Sequence, residues 1–258
     1  MLKACLLALA AAGLVLTSHA AKVSELVVSY QPGSGFVPNY TDPSTALGDV
    51  SRVNPFGEAT DPFDPPYGTN QIVSLGAGGS LVLFFQKPIH NHPHNPHGLD
   101  FVIFGNSGFI ITNEFDFTTF NWIGTPATDG SLFAQSTGDT RVSVSRDGVT
   151  FYQLDPALAP AVDRWFPTDG AGDPRVPLDP ALRPADFAGA TLDNIRTLYD
   201  DSAGGAAYDI SWARDARGRR VHLPEIHFIR IDVLSGKAEI DAISEVARPR
   251  GHGPKRAD

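Results

Sequence analysis

The chain predicts an all-β fold: an antiparallel β-sandwich of the jelly-roll kind, with a small helical insertion. Three observations predict it. Short runs of β-branched and aromatic residues recur along the chain, several with apolar and polar positions alternating. Gly- and Pro-rich joints separate them at short spacing. Only one segment carries a convincing helical pattern. Many short strands with tight joints close most readily into two packed layers.

In chain order, the first strand is "ELVVSY" (25–30), ended by "QPGSG". Residues 31–70 then hold seven prolines and five glycines, with Phe56, Phe63 and Tyr67 as groups to bury, so they read as an ordered excursion. "QIVSL" (71–75) leads through "GAGG" into "SLVLFF" (80–85), which reads as a tight hairpin. "LDFVIFG" (99–105) follows the histidine-rich loop. In "TRVSVSRDG" (140–148), Val142 and Val144 alternate with Ser143 and Ser145. With "VTFYQL" (149–154) it reads as a hairpin in which Asp147-Gly148 supplies the positive-φ residues of a tight turn. Residues 155–207 form a Pro/Asp/Gly-rich insertion, with Trp165, Phe166 and Phe187 to bury. It holds the helix "TLDNIRTLYD" (191–200): Leu192, Ile195, Leu198 and Tyr199 share a face, Thr191 is the N-cap and "SAGG" the stop. "EIHFIRIDVL" (225–234) sets Ile229, Ile231 and Val233 against Arg230 and Asp232, and "AEIDAISEV" (238–246) closes the fold.

The N-terminus reads as a secretory signal: Lys3, then the apolar "CLLALAAAGLVL", then "SHA" at 18–20 as a cleavage site. The expected organisation is a signal peptide over 1–20, one β-sandwich domain over 21–247, and a disordered basic tail over 248–258. The only cysteine, Cys5, lies in the signal, so the mature chain carries no disulfide or thiol ligand. No later stretch approaches the ~20 apolar residues needed to span a membrane. The formal charge of −9 and the lack of a basic stripe exclude nucleic acid as a natural partner. The expected location is secreted, periplasmic or extracellular.

"SLGAGGSLVLFF", "LDFVIFGNSGF", "TRVSVSRDGVTFYQL", "AAYDISWARDARGRRVHLPEIHFIRIDV" and "AEIDAISEV", in this order, resemble a family of exported bacterial cell-surface proteins of largely unassigned function. Many of its members carry a C-terminal PEP-CTERM sorting signal. The resemblance covers residues 24–246. The sorting tail is absent, since "RPRGHGPKRAD" has no apolar helix, and this favours secretion or periplasmic residence over surface sorting. The strand order is also similar to galactose-binding, discoidin-like jelly rolls. That similarity implies a structural calcium held near the last strand, with Glu239 and Asp241 as the matching positions.

Two groups of residues point to cations. "IHNHPHNPHG" (89–98) holds His90, His92, His94 and His97. Imidazole binds zinc and copper well, and in an extended loop His92 and His94 share a side that His90 can join. The competing reading is a solvated polar loop stiffened by Pro93 and Pro96. Calcium takes six to eight oxygens, and Asp100, Asn106, Glu239 and Asp241 stand at loop–strand junctions. Glu239 and Asp241, two apart on a strand, need a cation between them, unless Lys237 or Arg230 neutralises them.

Catalytic patterns are sparse. "GNSGF" lacks the nucleophile-elbow spacing, and "GAGGS" lacks the lysine and helix of a phosphate loop. His227 and Glu225 share a strand face, in reach of acid–base chemistry or as plain edge positions. Trp122, Trp165 and Trp212 offer sugar-stacking surface or core, with Trp122 as the ligand-binding candidate. The expectation is a non-enzymatic binding or structural module, calcium-stabilised, with a cell-surface glycan or protein as partner and an open oligomeric state. The alternatives are a polysaccharide-acting or metal-dependent hydrolase, and a metal-buffering protein.

Overall fold

Strands pair where the alternation places them. The computed structural model describes residues 23–247, so the signal segment and the basic tail lie outside the described residues. The principal strands are β1 (Leu26–Gln31), β2 (Val73–Gly76), β3 (Ser80–His90), β4 (Phe101–Phe104), β5 (Thr140–Ser145), β6 (Tyr152–Leu154), β7 (Ala206–Tyr208), β8 (Ala213–Arg214), β9 (Glu225–Val233), β10 (Lys237–Ile240) and β11 (Ala242–Glu245). Among the described residues there is one α-helix, α1 (Leu192–Tyr199). The fold is all-β: a six-stranded sheet ordered β1-β3-β9-β5-β6-β8, a three-stranded sheet β7-β4-β11 and a pair β10-β2, all antiparallel.

The six-stranded sheet is two-faced because its strands alternate. Val142 lies opposite Ile231, and Val144 opposite Ile229; β3 then places Leu81 opposite Ile231 and Leu83 opposite Ile229. These side chains share one core cluster with Val73, Leu75, Phe101, Ile103, Tyr208, Ile240 and Ile243 from the smaller sheets. Phe101 stacks on Tyr208 at 5.2 Å between ring centroids. Burying each large side chain contributes about 1.5–3 kcal/mol, so this shared core is what holds the sheets together.

β4 is buried on both faces. Phe101 and Ile103 enter the main core, while Val102 and Phe104 pack with Val50, Ala203, Ala242 and Val246. This accounts for the unbroken apolar run "FVIF", which has no polar face to alternate with.

The insertion carries its own small core. Ile195 and Tyr199 of α1 pack with Phe109, Leu178, Phe187 and Ala190. Thr191 caps the helix, donating its amide and hydroxyl hydrogens to Asn194 Oδ1. The stop is Asp200 in the left-handed conformation (φ 47°), two residues earlier than "SAGG". Phe187 is buried as expected, but Phe56 is 82% exposed.

Three further expectations are corrected. "GAGG" does not join paired strands: β2 pairs with β10 and β3 with β1 and β9, so the turn carries the chain from one sheet to another. In the β5–β6 turn only Gly148 has positive φ (71°); Asp147 instead accepts Val149 N–H and Thr150 N–H on Oδ1. "AEIDAISEV" is two strands, broken at Asp241.

Candidate functional site

The histidines divide among separate surroundings. His90 ends β3 opposite Glu225, the first residue of β9, and its Nδ1 lies 3.4 Å from Glu225 Oε2. Arg146 Nη2 reaches Oε1 of the same carboxylate at 3.5 Å. His94 N–H donates to His92 Nδ1 at 3.2 Å, and the two rings are 5.5 Å apart. His97 occupies a left-handed position (φ 56°) in the turn Pro96–Gly98. Among the described residues, no three His, Cys, Asp or Glu side chains gather in a way that would hold a metal.

Asp100 explains this arrangement. It is fully buried; Oδ1 accepts from His92 N–H (3.0 Å) and Asn95 Nδ2 (2.9 Å), and Oδ2 from Ile210 N–H (2.9 Å). The carboxylate pins the histidine loop by its backbone, while sheet pairing draws His90 to Glu225. Burial raises Asp100 to a pKa of about 7, against the pull of those three donors. His227 is also drawn away from Glu225. A bulge between Ile226 and Phe228 breaks the alternation, and His227 Nδ1 lies 2.8 Å from Phe85 O with its ring stacked on Phe84.

The four oxygen-ligand candidates do not form one site. Asp100 precedes β4, whereas Asn106 and Asp241 lie at its far end, where Asp241 N–H bonds Phe104 O. Four residues of strand put roughly 13 Å between those ends. Asp241 is closed by Ser51, whose Oγ donates at 2.6 Å and N–H at 2.9 Å. Its burial also raises its pKa to about 7. Glu239 receives Lys237 Nζ at 2.9 Å, the neutralisation by lysine weighed above as the alternative to a cation.

Asp163 belongs to this end of the molecule and escaped the sequence reading. Its Oδ1 accepts Ser107 N–H at 3.0 Å, and its Oδ2 accepts Glu239 N–H at 3.3 Å. Burial, with Glu239 adding its charge, holds the carboxyl well above the usual range. Nearby, Asn106 Oδ1 is buried with no hydrogen-bond partner. The one signal in the sequence is an aspartate inside the apolar "AVDRWF".

Trp122 sits on a short hairpin, edge-on to Phe115 at 4.9 Å, beside the exposed Phe117 and Phe120. Trp165 and Trp212 line a separate cleft of about 340 Å³ with Leu158, Phe166, Leu178 and Arg164. The three tryptophans therefore do not make one platform.

The larger cleft, about 540 Å³, lies on the outward face of the six-stranded sheet. Its floor is the polar half of the alternation. Arg230, Ser143, Gln153 and Arg214 are successive cross-strand neighbours on β9, β5, β6 and β8. Three strand spacings make this row roughly 14 Å long. In the next row, Arg141 lies opposite Asp232. Asp232 joins two guanidiniums: Arg141 Nε and Nη2 reach Oδ2 at 3.1 Å, and Arg230 Nε reaches Oδ1 at 2.8 Å. Arg214 Nη2 pairs with Asp155 at 2.9 Å, and Asp215 with Arg219 at 2.7 Å. Phe151 and Pro156 give the cleft apolar edges. Sequence reasoning used Arg230 and Asp232 to mark the solvent side of a strand, and Arg230 as a possible partner of Glu239 and Asp241; the row becomes visible only once register is known.

No known family model matches the chain, and no curated protein matches it. Among the described residues, no helix is long and apolar enough to cross a membrane.

Proposed function

We propose that the chain is an exported, non-enzymatic binding module, a jelly-roll β-sandwich of galactose-binding-like class that takes its ligand in the cleft on its six-stranded sheet. The observation that carries this reading is the row Arg230–Ser143–Gln153–Arg214. It presents donors and acceptors along rigid, mutually paired strands, backed by a core that fixes their register. A preorganised polar floor with apolar edges suits a polyhydroxylated ligand, which needs many directional hydrogen bonds and some C–H contact. Export follows from the N-terminal signal pattern, and a cell-surface glycan is the partner that chemistry favours.

A glycan array tests it. The wild-type protein retains a defined set of glycans, and Gln153→Trp, which fills the middle of the floor from the solvent side, loses them. Retention unchanged in Gln153→Trp but lost in Trp122→Ala would move the site to the aromatic hairpin.

A structural calcium ion near Asp163 and Glu239 is the second reading. One observation favours it: the buried carboxyl of Asp163 is adjacent to Glu239, and Asn106 Oδ1 nearby is buried without a partner. Hard oxygen ligands of this kind suit calcium. The test is melting temperature in EDTA against millimolar calcium, with a rise in calcium expected.

A further inference from the structure

We infer that the cleft on the six-stranded sheet selects an acidic glycan, with a sugar carboxylate or an equivalent anionic group seated at Arg141 and Arg230. This deepens, and rests on, the binding reading above. Asp232 is one carboxylate shared by two guanidiniums, so that corner keeps an excess positive charge. Arg214 pairs with Asp155, and Asp215 is neutralised by Arg219 from outside the lining, so the positive excess is local to the Arg141–Arg230 corner rather than spread over the cleft. Arg217 adds a second cation at the rim, exposed on the turn between the lining residues Ala216 and Gly218. A local positive excess on a chain of net charge −9 is a selective feature rather than a general one.

The type of cation narrows the ligand. Arg141 and Arg230 turn their Nε/Nη2 edges to Asp232, so an incoming carboxylate would meet their remaining guanidinium N–H groups, donors suited to charge-assisted hydrogen bonds. Next to that corner the row continues through Ser143 and Gln153, a hydroxyl and an amide suited to sugar hydroxyls. Asp155 offers a further acceptor, and Phe151 an aromatic edge. A row of roughly 14 Å accommodates more than one sugar ring, so the ligand is an oligosaccharide stretch with a sparse negative charge. A neutral glycan would leave the Arg141–Arg230 corner unused. A free phosphate or a lone sugar acid would leave most of the floor uncovered.

Affinity electrophoresis and calorimetry with the full chain separate these outcomes. The probes are polygalacturonate, alginate and hyaluronate as acidic polymers, a galactomannan as neutral polymer, and monomeric galacturonate and inorganic phosphate as small anions. The expected result is retention by at least one acidic polymer. Arg141→Gln and Arg230→Gln should weaken that retention roughly 10- to 100-fold, the usual worth of a charge-assisted hydrogen bond. Asp232→Asn, which removes the competing carboxylate, should bind at least as tightly as the wild type; a purely structural Asp232 would give the opposite. Melting curves confirm that each variant is folded, and Lys87→Gln, an exposed cation outside the cleft lining, supplies the charge-matched control. Preference for the neutral polymer, abolished by Gln153→Trp, would overturn the acidic reading and leave the cleft as the binding site. Small anions bound as tightly as the polymers would also overturn it. Absence of any glycan binding by folded wild-type protein would end both readings.

Discussion

Asp163 and Asp100 show how a single buried carboxylate can organise a loop. Asp163 ties Ser107 to Glu239, and Asp100 ties His92, Asn95 and Ile210 together. Asp163 acts through backbone N–H groups alone, and Asp100 through two backbone N–H groups and the side-chain amide of Asn95. Two predictions belong at this scale. A Cβ at Gly105 would meet Asp163 Oδ1 at 2.2 Å, so Gly105→Ala must displace the carboxyl. The expected cost is about 2–3 kcal/mol, as for other disrupted buried polar contacts, read from urea unfolding. Asp100→Ala leaves three donors without their acceptor and should cost roughly 3 kcal/mol or more. In that variant the amide of His92 should exchange with solvent much faster, which hydrogen exchange would measure. His94→Ala, in contrast, should change stability by under about 0.5 kcal/mol, as exposed positions usually do.

At the scale of elements, the alternation in β5 and β9 was legible from the residues alone, because a half-buried strand writes its two faces into its sequence. The helix was legible for the same reason, with Thr191 in place as its cap. The course of "GAGG" was not, since which strand pairs with which depends on partners more than a hundred residues away. The candidate site was legible only in part. Arg230 and Asp232 were visible as outward residues, but Arg141 and Arg214 join them only through register. The histidine loop shows the reverse failure: close spacing in sequence did not bring the imidazoles together, because Asp100 and Glu225 had prior claims on the segment. A test at this scale is Gly148→Ala in the β5–β6 turn. Its φ of 71° and a Cβ position 2.9 Å from Phe228 argue a loss of about 1–2 kcal/mol, measurable in the same denaturant series.

For the molecule as a whole, the buried carboxyls set an unusual dependence on acidity. Asp100 and Asp241 are raised to about 7 in the folded chain, against about 3.9 when unfolded. Between those values the folded state holds more protons than the unfolded one, so stability falls as pH rises from about 4 to about 7. The ceiling on this loss is about 4 kcal/mol per group before relaxation. Carboxylates held low, such as Asp173 beside Arg175, act oppositely, and their contribution disappears as pH drops below about 4. The urea midpoint should therefore be higher at pH 5 than at pH 8, and Asp241→Asn should flatten that difference. A midpoint that climbs steadily to pH 8 would show that both groups stay ionised throughout.

The cleft and the interior are written on the same few strands, on alternate residues. Inserting a single amino acid into the middle of β5 would therefore turn valines out to solvent and push a guanidinium inward, losing recognition and folding in one step. The Asp147–Thr150 turn, a few positions away, can lengthen without touching either. Variation in close relatives of this chain should accordingly appear as substitutions along the strands and as changes of length only between them.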